Sequence, residues 1–468
     1  MGTINAALSL ISGALDADQN ALNIVSNNVA NASNQAYTRQ VPNWAENQPL
    51  YISGLFLGSG VSVNGGISQR DRVLEQRLQQ QQQLSAASST LLTALNTLQT
   101  GFSPSATTST AGDVGSDITN FFNSFTQLQS NPTSNPLRQQ VLATAATLAG
   151  DVSSRAASLN AQQVSLDQSA NTVVAQVNSL TVSLAQINQK IQSLSPNSDA
   201  GPLEDQRQSE LTQLSQLIGI NQITTEKNGL SITTTGGQLL ASQGQAFSIT
   251  TGAVGGVTHF FVGGTDITTQ LASGGGQLGG LLTARDQSIP TVLASLDQLA
   301  YSVATQVNTV NNAGTDLVGD NGNSGDIFNA PTQVAGSAQA FQVVLTNPDK
   351  IAAAGLGLGT GNDANAVAFA NLASQAFVNG QTPSDYYSNL VSTLGATVSQ
   401  TTIQNTALSA SLNQLQNQRN SLSSVSLNEE AASLQEFQRS YQAASQVFGI
   451  LNSVFASALN LGVVTSVA

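Results

Sequence analysis

The chain has no cysteine and a single histidine among its 468 residues. Disulfides, thiolate metal sites and cysteine nucleophiles are excluded, and His259 is left as the one imidazole for any triad or metal site. Charge is scarce as well. The 13 Lys and Arg and 26 Asp and Glu make up 8% of the chain, where globular proteins carry roughly 25%. With a net charge of −13, the chain lacks the cationic surface that neutralises phosphates, so no nucleic acid and no anionic membrane is expected as a partner. No apolar run approaches the ~18 residues of a membrane span. The first basic residue is Arg39, so no basic segment precedes an apolar one and no cleaved secretory leader is read. Ser, Thr, Asn and Gln fill the place of the missing charge. They hydrogen-bond to a neighbouring surface without the desolvation cost of a bare charge.

Helical periodicity dominates what is present. Ile4, Leu8, Ile11, Leu15, Asp18, Leu22, Val25 and Val29 alternate steps of four and three, the narrow stripe of a helix–helix seam over residues 3–29. The far end repeats the pattern. Leu427, Leu434, Tyr441, Phe448 and Phe455 are spaced by seven, with Phe437, Ala444, Leu451 and Ala458 in the second register. Each strip needs an apolar partner, and the other strip is the nearest candidate. The two ends therefore read as one helical domain, loosely ordered in the free chain because isolated helices of this length are marginal in water.

Asn135-Pro136 opens a helix that keeps the same rhythm as far as Ser195-Pro196, a rod of about 90 Å at 1.5 Å per residue. Shorter helices are read at 68–98, 203–218, 290–310 and 387–422, with Gln79 to Gln83 as a solvated face. From 220 to 269 the period changes to two. Asn228-Gly229 marks one hairpin between 222–225 and 230–235, and 246–251 pairs with 257–262 in a second. This island reads as an independent unit with few contacts to the rod. The expected fold is mainly α and elongated. It comprises a terminal coiled-coil domain (1–66 and 425–468), a helical rod domain (67–219 and 276–424) and a small inserted β domain (220–275). Residues 314–350 read as loops with one strand at 341–345.

Chemistry is thin. His259 sits in a β-period run beside Phe260 and Phe261, as an ordinary strand residue. The stretch from Asp316 to Asp326 has the look of a calcium loop but lacks the acidic spacing and the closing Glu, so it reads as a polar turn. Thr360 stands where a dinucleotide fingerprint needs its third Gly. Glu429 and Glu430 are adjacent on a helix and read as pointing apart. No catalytic residue, metal site or cofactor is expected.

The segment from Leu22 to Asn31, followed by Tyr37, Thr38, Arg39 and Gln40, resembles the N-terminal signature of the bacterial flagellar rod, hook and hook-associated protein family. The run from Leu427 to Ala443 resembles its C-terminal signature. Asn135 to Gln140, Gly229 to Gln243 and Gly279 to Arg285 narrow the resemblance to the hook–filament junction members, over nearly the whole chain. Two features depart from the pattern: Ala36 replaces a Gly before the tyrosine, and the stretch 329–341 is short where some relatives carry a further β domain.

The resemblance implies a structural junction subunit, not an enzyme. It would be exported without a cleaved signal by the flagellar type III apparatus and escorted by a flagellar export chaperone. Outside the cell it would form a homo-oligomeric ring in the flagellar axis between the flagellar hook protein and the second hook–filament junction protein. It implies subunit contacts through Asn27, Asn28, Asn31, Tyr37, Arg39 and Gln40. The seam rows Leu8, Leu15, Leu22 and Leu434, Phe437, Tyr441, Phe448, Leu451, Phe455 complete the expected assembly interface. A hook or rod subunit is the alternative of the same class, sharing the termini but not the long helical middle. A carboxylate-dependent soluble enzyme is the alternative of another class.

Overall fold

The computed structural model describes residues 2–34, 37–52, 55–102, 113–194, 200–224 and 229–463. Helix α1 (Gly2–Ala30) leads into the strands β1 (Gln40–Glu46), β2 (Leu50–Ile52), β3 (Leu55–Leu57) and β4 (Val61–Ser68). The antiparallel pairs are β1 with β4 and β2 with β3. Next come α2 (Arg72–Phe102), α3 (Val114–Ser130), the long α4 (Asn135–Ser193) and α5 (Gly201–Leu217). Pro136 in the first turn of α4 costs no hydrogen bond, because that N–H has no partner within the helix. At 59 residues α4 is about 88 Å long.

The β insert holds two antiparallel sheets. The strands β5 (Ile220–Thr224), β6 (Leu230–Thr234), β7 (Leu239–Ser242) and β8 (Gln245–Ala246) follow one another in chain order. In the second sheet, β10 (Val257–Val262) lies between β9 (Thr250–Val254) and β11 (Thr265–Asp266). Both expected hairpins form, and Asn228 lies outside the described residues. Short α6 (Thr268–Gly274) and α7 (Gly276–Thr283) run through a π turn at Ala284–Ser288 into α8 (Ile289–Asn312). The chain closes with β12 (Gly314–Thr315), β13 (Ala354–Gly355), α9 (Ala364–Asn371), α10 (Pro383–Ser423) and α11 (Leu427–Val463). The strand expected at 341–345 is a single bridge, Phe328 to Val343. Across the short stretch after Asn329, the Gln342 carbonyl accepts directly from the Asn329 N–H at 3.0 Å.

Two hydrophobic cores lie in series along α4. The first gathers Val141, Ala145, Leu148, Val152 and Leu159 of α4 with Phe121, Phe122 and Phe125 of α3, Leu296 and Val303 of α8, and Phe328 and Phe369. The second begins at Ala170 and joins Val173, Val177 and Leu184 to Leu211 and Leu214 of α5, Ile232, Leu240, Phe260 and Val262 of the β insert, and Leu278 and Leu282 of α7. Among the described residues, the β insert therefore has no core separate from that of α4. Its apolar side is the other half of the C-terminal end of α4, which corrects the expectation of few contacts with the rod.

Between the cores, the fully buried Arg285 donates to Asp167 of α4 at 2.5 Å and to Asp286 at 2.7 Å. Asp167 also accepts from Thr258 at 2.8 Å, so one ion-pair cluster pins helix, π turn and sheet together. Gly280 explains part of the stretch that precedes Arg285. A Cβ there would stand 2.4 Å from the Ala87 carbonyl oxygen, so only glycine lets α7 lie this close to α2.

The glutamine run corrects a second expectation. Gln79, Gln82 and Gln83 are buried, not solvated. Gln83 donates to the Ile220 carbonyl at 3.1 Å, Gln81 to that of Leu408 at 2.9 Å, and Gln222 donates to Gln79. Long amide side chains join α2 to β5 and α10 where a charge would have been costly to bury.

Replacing 222–269 by a short linker uncovers Val173, Val177, Leu184, Leu211 and Leu214. The expected product aggregates, or loses protease resistance in the C-terminal half of α4. Limited proteolysis with far-UV circular dichroism checks this; an intact helical rod would show that the second core survives without its β half.

Candidate functional site

The two ends of the chain meet. Helices α1 and α11 pack along each other, with β1 and β4 against α1. Leu8, Leu15 and Leu22 on α1 and Leu434, Phe437, Phe448, Leu451 and Phe455 on α11 are all half-buried, whereas Tyr441 is 36% exposed. The Trp44 ring of β1 lies 5.9 Å from that of Phe437. These seam residues are engaged within one chain.

The joint is fastened at the C-terminal end of α1. Asn28 is 1% exposed, and both ends of its amide are used. Its oxygen accepts from the Tyr37 hydroxyl at 2.8 Å and the Gln40 N–H at 3.1 Å. Its nitrogen donates to the Gln40 carbonyl at 2.8 Å and to Glu430 at 2.9 Å. The side chain acts as a short strand against Gln40 while holding the first turn of α11. Arg39 completes the cluster, donating to Glu430 at 2.7 Å and reaching Glu429 at 2.8 Å. One guanidinium thus spans the two glutamates that were expected to diverge. Both carboxylates also sit at the N-terminus of α11, where the helix dipole favours negative charge.

Backbone bonds extend the knot. The Arg39 N–H donates to the Ser423 carbonyl, the Gln69 N–H to the Arg39 carbonyl, and the Ser423 hydroxyl to the Gln69 carbonyl. Arg70 next to it donates to Thr38 at 3.0 Å and to Asp205 of α5. Burial pushes the Asp205 carboxyl up from its ordinary value, against the pull of Arg70. Farther along, Arg419 of α10 pairs with the buried Glu75 of α2 at 3.2 Å.

The expected contact residues therefore separate. Asn28, Tyr37 and Gln40 are buried inside the chain, and Arg39 is engaged in its ion pairs, so these four hold the terminal joint together within one chain. Asn27 is exposed and accepts from the half-buried Asn31 at 2.8 Å. Ala36 lies outside the described residues. Glu430, Ser423 and Gln69 were missed because their partners are remote in sequence. The surface left on α11 is a second strip, Val447, Ile450 and Val454, exposed by 44%, 62% and 48%.

Elsewhere the chain offers little for catalysis. The loop from Asp316 carries its own cation: Lys350 lies 3.4 Å from Asp316 and pairs with Asp320. His259 is paired with Asp266 at 2.6 Å on the β insert. A groove of about 410 Å³ between α8 and α10 includes Thr291, Tyr386 and Asn389, and none of its lining residues is a carboxylate, histidine or cation. Among the described residues, no three His, Cys, Asp or Glu side chains group as metal ligands, and no helix is long and apolar enough to cross a membrane.

Asn28→Ala removes four hydrogen bonds and strands their buried partners, a loss on the order of 3 kcal/mol at the joint. The expected outcome is faster hydrogen exchange in α1 and the first turns of α11, with the rod unchanged. Equal protection in variant and parent would mean that the amide is not what fastens the ends.

Comparison with known proteins gives the following similarities. The flagellar hook-associated protein FlgK helical domain matches residues 103–328. Flagellar hook-associated protein 1 of Escherichia coli strain K12 is 26% identical, with 97% of this chain and 100% of that protein covered. The protein of the same name from Bacillus subtilis strain 168 is also 26% identical, with 96% of each covered. The flagellar hook junction protein FlgK from Burkholderia pseudomallei shares the fold, with a TM-score of 0.66 at 18% identity over 74% of this chain and all of that one. Over nearly its whole length the chain is similar to proteins named flagellar hook-associated protein 1, and its middle matches their helical-domain model.

Proposed function

We propose that this chain is a structural subunit of the bacterial flagellum, the first hook–filament junction protein, and that it joins hook to filament by self-assembly through its paired terminal helices. The observation that carries the reading is that the relation to hook-associated protein 1 runs end to end, while the two termini converge on one fastened helical pair. The family is structural, and the chain is not an enzyme. It works in the external part of the flagellum, assembled with hook components.

Finer partners follow from that place in the axis. The subunit forms a ring of copies with the hook protein on one side and the second junction protein on the other. It reaches that position through the type III export apparatus with a dedicated chaperone. The absence of cysteine suits such a route, since no cross-link obstructs an unfolded chain. The division into a terminal coiled-coil domain, a rod and a β insert gives each part a role. The terminal pair builds the axial tube and the rod and β insert surround it. Seam residues such as Leu434 and Leu451 support assembly by holding α11 on α1, and the strip Val447, Ile450 and Val454 is left for a neighbouring copy.

Electron microscopy of flagella from a deletion strain tests the reading. Hooks without filaments are expected, restored by the parent chain. Within it, Ile450→Asp places a charge on the exposed strip, so the thermal melt of the purified protein should stay unchanged while filaments fail to grow. Normal filaments on Ile450→Asp would remove that strip from the assembly surface. Deletion flagella that still carry filaments would overturn the junction role itself.

A further inference from the structure

The N-terminal turns of α3 carry a group of polar atoms that the terminal joint does not use. Asp113 caps the helix, its carboxylate accepting from the Gly115 N–H at 3.2 Å. One turn on, Asp117 is 7% exposed and lies within hydrogen-bonding reach of Asp151 on α4. Tyr387 of α10 is 3% exposed and reaches the same place, its ring 3.5 Å from where a Cβ on Gly115 would stand.

The oxygens that meet there are short of donors. Oδ2 of Asp117 and Oδ2 of Asp151 are buried without a hydrogen-bond partner, and so is the Tyr387 hydroxyl. Two ionised carboxylates facing each other are both acceptors. They repel, and they bond only when one of them carries a proton. Asp113 on the same helix, Asp151 and Arg155 on α4, and Tyr387 on α10 are the titratable groups facing Asp117. The guanidinium of Arg155 lies 5.7 Å from the Phe102 ring centre, and the adjoining segment 103–112 contains no titratable side chain.

We propose that Asp117 and Asp151 form a proton-set latch: one shared proton fastens α3 to α4 beside Tyr387, and its loss loosens the N-terminal turns of α3.

The electrostatics point the same way. Burial, the bond to Asp151 and the charges of Asp151 and Asp113 push the Asp117 carboxyl up to about 7, with Arg155 opposing. A carboxyl raised in the folded state holds its proton more tightly there than in the unfolded chain, whose ordinary value is 3.8. The stability it adds is complete below the unfolded value. It falls as pH rises through about 7 and is absent above. The latch is therefore closed in mildly acidic surroundings and open in alkaline ones.

Hydrogen exchange of the full chain, corrected for the intrinsic pH dependence of the amides, tests the latch. Between about pH 5.5 and about pH 8.5, peptides covering the start of α3 should lose protection about tenfold or more. Asp117→Asn keeps a neutral donor at this position, so its protection should stay level across that range. Asp151→Asn gives Asp117 an amide donor and should flatten the response as well, which covers the case of an Asp117 variant that fails to fold. Infrared spectra of the parent should retain a protonated carboxyl band near neutral pH that Asp117→Asn lacks. Level protection of α3 in the parent, an equal fall in parent and variants, or no such band would overturn the proposal.

Discussion

Both hydrophobic cores are built on one helix. Because α4 is 59 residues long, its apolar stripe cannot close a single round core, and partners dock along it in series. At the N-terminal half, α3, α8, α9 and α10 contribute aromatic and aliphatic side chains. The C-terminal half instead takes α5, α7 and the face of two small sheets. The polar interval between the cores would be a weak point in a rod. It is closed by Arg285 and Asp167, whose charges are paired on removal from water. A mainly helical chain can thus carry a β insert without giving it a separate core.

Scarcity of charge shapes the rest. The few cations cluster at places where elements join: Arg39 at the termini, Arg70 and Arg419 beside α2, Arg285 between the cores, Lys350 at the Asp316 loop. Buried Arg138 spans two loops, donating to the Pro132 carbonyl at 2.8 Å and that of Ile351 at 2.5 Å, and burial lowers its pKa to about 10. Elsewhere asparagine takes over. Asn178 pairs with both backbone groups of Ile249, Asn308 with both of Phe328, and Asn28 with both of Gln40. An amide matches a peptide's donor and acceptor, so it binds an irregular segment as a neighbouring strand would, without a charge to desolvate. With only 8% of its residues charged, the chain satisfies much of its buried polar surface with amides in place of ions.

Legibility followed range. The rhythm of α4, the start at Asn135-Pro136 and the change of period at 220 were readable because each depends on residues a few positions apart. The heptads of α1 and α11 identified two strips that each needed a partner. Polar residues misled in a consistent way. Gln79 to Gln83 read as solvated and Glu429 and Glu430 as divergent, because nothing local announces that a remote carbonyl or guanidinium will meet them. The motif residues Asn28, Tyr37 and Gln40 were legible, but the intrachain partners that bury them were not.

Without showing α3 or β1, the sequence by itself determined the long helices and the two hairpins of the β insert, the absence of thiol chemistry and the character of the two ends. All of these are properties of composition or short-range period. Only the tertiary structure decided which polar side chains turn inward. Asn28 and Glu430 lie 402 residues apart in the chain, yet each is buried and supplies one of the partners that satisfy the other. Burying an amide or carboxylate is favourable only against a partner that satisfies it, and that partner's arrival is a property of the completed fold.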